Sequence, residues 1–228
     1  MFFDYYYLVL VVPTLILSLW AQIMVKSTFS KYSKISCSRR ITGQDAAALL
    51  MKANSIRDVS IEAVGGSLTD HYDPSAKILR LSQPVYNQNS IAAVGVAAHE
   101  TGHAIQHARG YGPLALRGTL VPVANVGSMF GPWLAMAGIF FSMPMLLNIG
   151  ILLFGGAVLF YVITLPVEFD ASMRAIAILR SSNVLTPDEL RGVKKVLTAA
   201  ALTYVASALT ALMSLLRLIL LSQSRRRR

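Results

Sequence analysis

Three stretches of this chain run for about the thickness of a bilayer core without one charged side chain, which constrains the fold before anything else does. They are Tyr5–Val25 ("YYYLVLVVPTLILSLWAQIMV"), Gly118–Met143 and Leu146–Leu165, the last two joined around Pro144. Backbone polar groups inside lipid must be satisfied within the segment, so apolar blocks of this length predict helices. A fourth, less apolar block, "VLTAAALTYVASALTALMSLLRLILLS", precedes a terminal "RRRR". Composition agrees: 54% of the residues are hydrophobic and 14% charged, against about 25% charged in soluble domains. The first block reads as an uncleaved anchor, because "MFFD" is not a basic leader and no small-residue cleavage site follows. The next two read as a transmembrane hairpin.

The net charge of +10 would suit nucleic acid if it formed a patch. The basic residues instead flank the apolar blocks, as in loops facing anionic lipid, so the expected partner is a bilayer and not nucleic acid. Of 21 Lys and Arg, 11 lie between the first and second blocks and five between the third and fourth. Four crossings put both segments on one side, the cytoplasm by the positive-inside rule. The same parity sends "RRRR" outside, against that rule; either the tail is an exception or the last helix lies along the membrane. Cys37 is the only cysteine, so no internal disulfide forms.

Between the anchor and the hairpin the chain has the patterning of a small soluble domain. Thr42 and Asp45 predict a capped helix over "GQDAAALLMKANS". "DVSIEAV" alternates as a strand does, and "AKILRLS", after a "DPS" turn, reads as a second strand. That second strand either offers an edge to an extended substrate or closes a structural hairpin. Ser90 then caps a helix from Ile91 to about Ala108, ended by Gly110. This helix carries His99-Glu100-Thr101-Gly102-His103. Residues four apart share a helix face, so both imidazoles can point at one tetrahedral Zn²⁺, with Glu100 beside its open position. There a carboxylate can take a proton from water that the ion has acidified, which is the chemistry of the HExxH zinc peptidases.

The third ligand is less determined. His107 lies eight residues past His99, about 12 Å along a straight helix and too far for one ion with bonds near 2.0 Å. A surface or packing role is its plain reading, and His71 in "LTDHYD" is similarly unassigned. The carboxylates available are Asp70, Asp73, Glu168, Asp170, Asp188 and Glu189. Glu168 stands just past the third block in "LPVEFDASMRA", and its spacing suits a ligand and a helix-start carboxylate equally. Arg174, nearby, is either an oxyanion partner or an ordinary cytoplasmic-side arginine.

"AAHETGHAIQHA", "DHYDPSAKILRLS" and, two spans later, "LPVEFDASMRA" together resemble the YugP-type neutral zinc metallopeptidases, and more distantly HtpX and the CAAX prenyl proteases. The resemblance extends over nearly the whole chain. It implies His99 and His103 as metal ligands, Glu168 as the third, Glu100 as catalytic base and one Zn²⁺ as cofactor. One position departs: HtpX-like relatives carry an aspartate four residues after the ligand glutamate, where it orients a zinc histidine. Here Ser172 holds that place, and Asp170 points toward another helix face.

The expected fold is mostly α and integral to the membrane, with about four transmembrane helices and a small cytoplasmic α+β zincin-like domain. Its expected parts are an anchor over 1–26, a zinc-peptidase domain over 27–117, a transmembrane hairpin over 118–165, a cytoplasmic helical segment over 166–195 and a last membrane helix with basic tail over 196–228. The expected activity is that of a zinc metalloendopeptidase in a bacterial cell membrane, with its catalytic domain facing the cytoplasm. Its substrates would be peptides or membrane proteins, in membrane-protein quality control. A scaffold with a structural zinc is the alternative, though such sites normally close with four protein ligands. A transporter would need ionisable groups inside the spans, and the second and third blocks have only Tyr161.

Overall fold

The structure is a computed structural model that describes residues 4–226. The first three residues, "MFF", and the last two arginines of the tail lie outside the described residues. A π-helical turn, Tyr7–Val11, leads into α1, Val12–Tyr32. The remaining elements are α2 (Gly43–Ala53), β1 (Ser60–Val64), β2 (His71–Asp73), β3 (Ile78–Ser82), α3 (Gln83–Tyr86), α4 (Ile91–Ala108), α5 (Gly112–Phe140), α6 (Pro144–Ser181) and α7 (Pro187–Arg226). Among the described residues, four helices are long and apolar enough to cross a membrane: Tyr7–Tyr32, Gly112–Phe140, Pro144–Ser181 and Pro187–Ser224.

The capping residues start the helices where local chemistry requires. The Thr42 hydroxyl accepts from Asp45 N–H at 3.1 Å while the Asp45 carboxylate accepts from Thr42 N–H at 3.0 Å, a reciprocal box that satisfies two otherwise orphaned donors. Ser90 Oγ accepts from Ala93 N–H at 3.1 Å and opens α4. Thr186 and Glu189 form a second reciprocal pair at the head of α7, with Pro187 in the first helical position.

Two expectations need correction. The strand over "AKILRLS" is not an edge: it closes a hairpin with β2, and β3 is central in the order β1-β3-β2. It pairs parallel to β1, with Ser60 opposite Ile78, and antiparallel to β2, with Tyr72 opposite Leu79. Leu79 and Leu81 are fully buried, as a central strand requires. The second correction concerns α6, which runs unbroken through Pro166 to Ser181. Glu168 is therefore interior to a long helix and not at a helix start, so a dipole argument does not explain its charge.

Contacts divide the chain into two compact units. One comprises the chain up to Gln22, Ala115–Pro166 and the chain from Leu202 on; the other comprises Ile23–Leu114 and Val167–Ala201. Within the first, α5 and α6 meet through glycines: a Cβ on Gly131 would collide with the backbone of Phe154, and one on Gly150 with that of Ala135. Small residues of this kind let the backbones of two apolar helices approach closely. In the same unit α1 and the C-terminal half of α7 run antiparallel. Asp4 accepts from Arg217 Nη2 at 2.6 Å, and the hydroxyls of Ser18 and Thr210 lie 3.2 Å apart. Contact along that length makes α7 a partner of the first apolar helix.

Within the second unit α4 is the hub, with 14 of its 18 residues buried. Val94 and Ala98 face a core with Leu50, Leu179, Val193 and Leu197. Ala93 and Ala97 face Leu79, Leu81 and Val85. A helix buried on nearly every side needs small residues, and its run of alanines and glycines supplies them. The antiparallel placement of α1 and α7 has a direct check. In a Ser18→Cys/Thr210→Cys double variant, mild oxidation is expected to remove two free thiols and leave Cys37 alkylatable, counted by mass spectrometry; retention of all three contradicts the packing.

Candidate metal centre

The second unit brings one cluster of metal-capable side chains together among the described residues: His99, His103 and Glu168. The first two project from α4 one turn apart, and the third from α6. The helices approach closely because Gly102 lies between the histidines; a Cβ there would sit 2.5 Å from the carbonyl oxygen of Ala171. Glycine at this point lets the α6 backbone reach α4, and with it the carboxylate.

Glu168 is only 3% exposed and His103 7%. One carboxylate oxygen, Oε2, lies 3.2 Å from His99 Nε2 and 3.6 Å from His103 Nε2. The three donor atoms all fall within 4.8 Å of one another. Ligands on a tetrahedral ion with bonds of 2.0–2.1 Å are separated by about 3.3 Å, so the spacing matches a shared Zn²⁺ with little rearrangement. The donor set, two neutral imidazole nitrogens and one carboxylate, is also that of zinc sites that keep a fourth position open. The outer nitrogens are occupied: His99 Nδ1 is 3.0 Å from Ser172 Oγ, and His103 Nδ1 is 3.0 Å from Gln106 Oε1. Both Nε2 atoms are thus left facing Glu168, and the residues fit the ion. Glu100, 9% exposed, follows His99 directly on the same helix.

Burial disfavours a charge on His103, but hydrogen bonding to Glu168 and the charges of Glu100 and Glu168 outweigh it, so its pKa lies above the ordinary 6.5. In the metal-free protein a protonated His103 therefore pairs with Glu168. That stabilisation is complete below about pH 6.5 and is lost as pH rises through the raised value. An ion has to displace the proton, so metal binding releases it.

The other residues singled out by sequence have local partners elsewhere. Asp70 accepts from Ser82 N–H at 2.7 Å. Asp73 caps its own turn and pairs with Arg80 at 3.1 Å. Asp188 pairs with Arg191, and Glu189 accepts from Ser38 N–H at 2.6 Å. His107 Nδ1 meets the Tyr72 hydroxyl at 2.8 Å, and His71 Nδ1 meets the Thr69 carbonyl at 2.8 Å. Arg174 donates through Nε to Asp170 at 2.5 Å and lies over the Tyr111 ring. Two residues that touch the cluster were not predicted from sequence as site residues. Ser172 was noted only as a departure from HtpX-like relatives, yet it reaches His99 itself. Gln106 carries no motif; its one sequence signal is a long polar side chain three residues after His103, on the same buried helix.

Comparisons with known proteins place the chain in a family. A family model described as "Putative neutral zinc metallopeptidase" matches residues 7–223. The chain is similar to "Putative membrane protease YugP" of Bacillus subtilis (strain 168), at 48% identity over 215 residues that cover 94% of this chain and 96% of that one. No solved structure matches.

Two outcomes follow from the cluster. Zinc affinity, measured by chelator competition, is expected to strengthen as pH rises toward the raised value of His103, because fewer ions have to displace its proton; a flat profile contradicts the pairing. Gly102→Ala gains about 1 kcal/mol of helix propensity but is expected to be destabilised overall, since overpacking at a close contact costs about 1–3 kcal/mol. Its zinc affinity should fall with the thermal midpoint.

Proposed function

The chain belongs to the neutral zinc metallopeptidase family, and from that premise we propose that it is a membrane-embedded zinc endopeptidase with Glu100 as general base. The observation that carries this reading is the approach of His99 Nε2 and His103 Nε2 to one oxygen of Glu168, at 3.2 and 3.6 Å, beside a buried Glu100. His99, His103 and Glu168 would hold the ion. When bound, zinc supplies a Lewis acid that polarises the scissile carbonyl and acidifies the attacking water.

The protein's own groups do the rest. Glu100 takes the proton of the attacking water on a carboxylate oxygen, holds it while the carbon–nitrogen bond weakens, and delivers it to the departing amine nitrogen. Because Glu100 is adjacent to a ligand on the same rigid helix, its carboxylate needs no loop motion to reach the reacting centre, which favours pre-organisation over induced fit. The buried surroundings lower the local dielectric, so each charge interaction at the site is stronger than in water.

The four long apolar helices support insertion into a bilayer. The 11 basic residues between the first two apolar blocks support a cytoplasmic placement for the peptidase segment by the positive-inside rule. Peptide segments of membrane proteins would then be the substrates, in a quality-control role. A scaffold with a closed structural zinc is less well supported, because three metal-capable side chains converge among the described residues and such sites use four.

The test separates base from ligand. Glu100→Gln is expected to keep wild-type zinc content, by atomic absorption, and to lose at least 10²-fold in cleavage of an unfolded-protein substrate in detergent, the usual contribution of a positioned base. His103→Ala is expected to lose both. Full cleavage by Glu100→Gln would dismiss the mechanism.

A further inference from the structure

We infer that Gln106 is a positioning residue for the metal site, an amide relay that ties His103 to Asp170 and fixes which imidazole nitrogen faces the ion. The inference rests on the zinc reading above and adds to it a role for three residues outside the ligand set.

Gln106 is 0% exposed, and a primary amide removed from water costs free energy unless its hydrogen bonds are made. Here they are. Nε2 donates to the Val167 carbonyl at 2.8 Å and to Asp170 Oδ2 at 2.8 Å, while Oε1 faces His103 Nδ1 at 3.0 Å. The orientation of the amide is decided by chemistry. A backbone carbonyl and a carboxylate are acceptors only, so the NH₂ end has to face them, and flipping the group would set an oxygen against two oxygens. Oε1 is therefore an acceptor aimed at His103, and Nδ1 must carry the hydrogen. The lone pair of a neutral His103 is then on Nε2, the atom that faces Glu168.

His99 is held differently. Its Nδ1 meets the hydroxyl of Ser172, which can donate or accept, so that contact orients the ring without choosing a tautomer. The two imidazoles are unequal: His103 is locked and His99 is adjustable. The lock is anchored in turn. Asp170 Oδ2 also accepts from Arg174 Nε, and the Arg174 guanidinium lies 5.7 Å from the centre of the Tyr111 ring. Asp170 thus supports a ligand histidine without touching it. It does so from the second residue after Glu168, while Ser172, the fourth, touches a histidine directly.

The experiment uses full-length detergent-purified protein and zinc itself as the probe. Gln106→Met keeps length and apolar bulk but removes the amide. It is expected to weaken zinc binding about 10- to 100-fold, the range for losing a partner of a ligand histidine. Asp170→Ala is expected to weaken it several-fold, and the double variant no more than Gln106→Met alone, because Asp170 acts through Gln106. Cobalt-loaded Gln106→Met should also show a shifted visible ligand-field band, a signature that a general loss of stability does not produce in the folded fraction. Unchanged zinc affinity in Gln106→Met, or additive losses in the double variant, overturns the relay. If Gln106→Met does not fold, Asp170→Ala decides alone, and wild-type affinity there overturns it. Absence of zinc binding by the wild type would instead remove the metal reading beneath it.

Discussion

A carboxylate withdrawn from water needs compensating charge, and Glu168 is the place where this protein meets that requirement. At 3% exposure it has too little solvent to hold an anion alone. Its compensation comes from two imidazoles on another helix, at 3.2 and 3.6 Å. Two histidines and a carboxylate serve equally as a protonated pair without metal and as a ligand set with it. That dual competence links stability, pH dependence and the proposed metal affinity in the same three side chains. Removing any one leaves a buried group whose partner is gone, which is usually more damaging than never having built the pair.

The rest of the second unit is arranged to make that meeting possible. Alanines and glycines on α4 allow it to be covered on nearly all sides, and Gly102 admits the α6 backbone where the ligands lie. Ser172 and Gln106 then fix the rings from behind. The layout separates two tasks: small residues set the distance between helices, and hydrogen bonds set the angle of each ligand. A site built on rigid helices holds its geometry more closely than one built on loops.

Sequence made some elements plain and obscured others for identifiable reasons. Ser90 and Thr42 announced two helix starts because capping is local chemistry. The run Ile91–Ala108 was legible to its last residue. The three-residue β2 was not, because His71–Asp73 is too short for alternation to register and its pairing with β3 is not local. The same shortcoming made "AKILRLS" resemble an edge, since nothing in five residues tells how many neighbours a strand has. Pro166 suggested a boundary, yet α6 continues through it, and this moved Glu168 from a helix start to a helix interior.

By itself the sequence determined which segments are apolar helices, where the helix of the candidate metal centre begins, and that His99, Glu100 and His103 share one of its faces. Those properties follow from hydrophobicity, capping and a period of 3.6 residues, which act over neighbours in the chain. Only the tertiary structure decided which carboxylate completes the cluster, why Ser172 stands where an aspartate would be expected, and that a buried glutamine sets the tautomer of His103. Each of these depends on how closely two helices, joined through another long helix, approach at Gly102. That distance is fixed by packing in three dimensions, and spacing along the chain does not encode it.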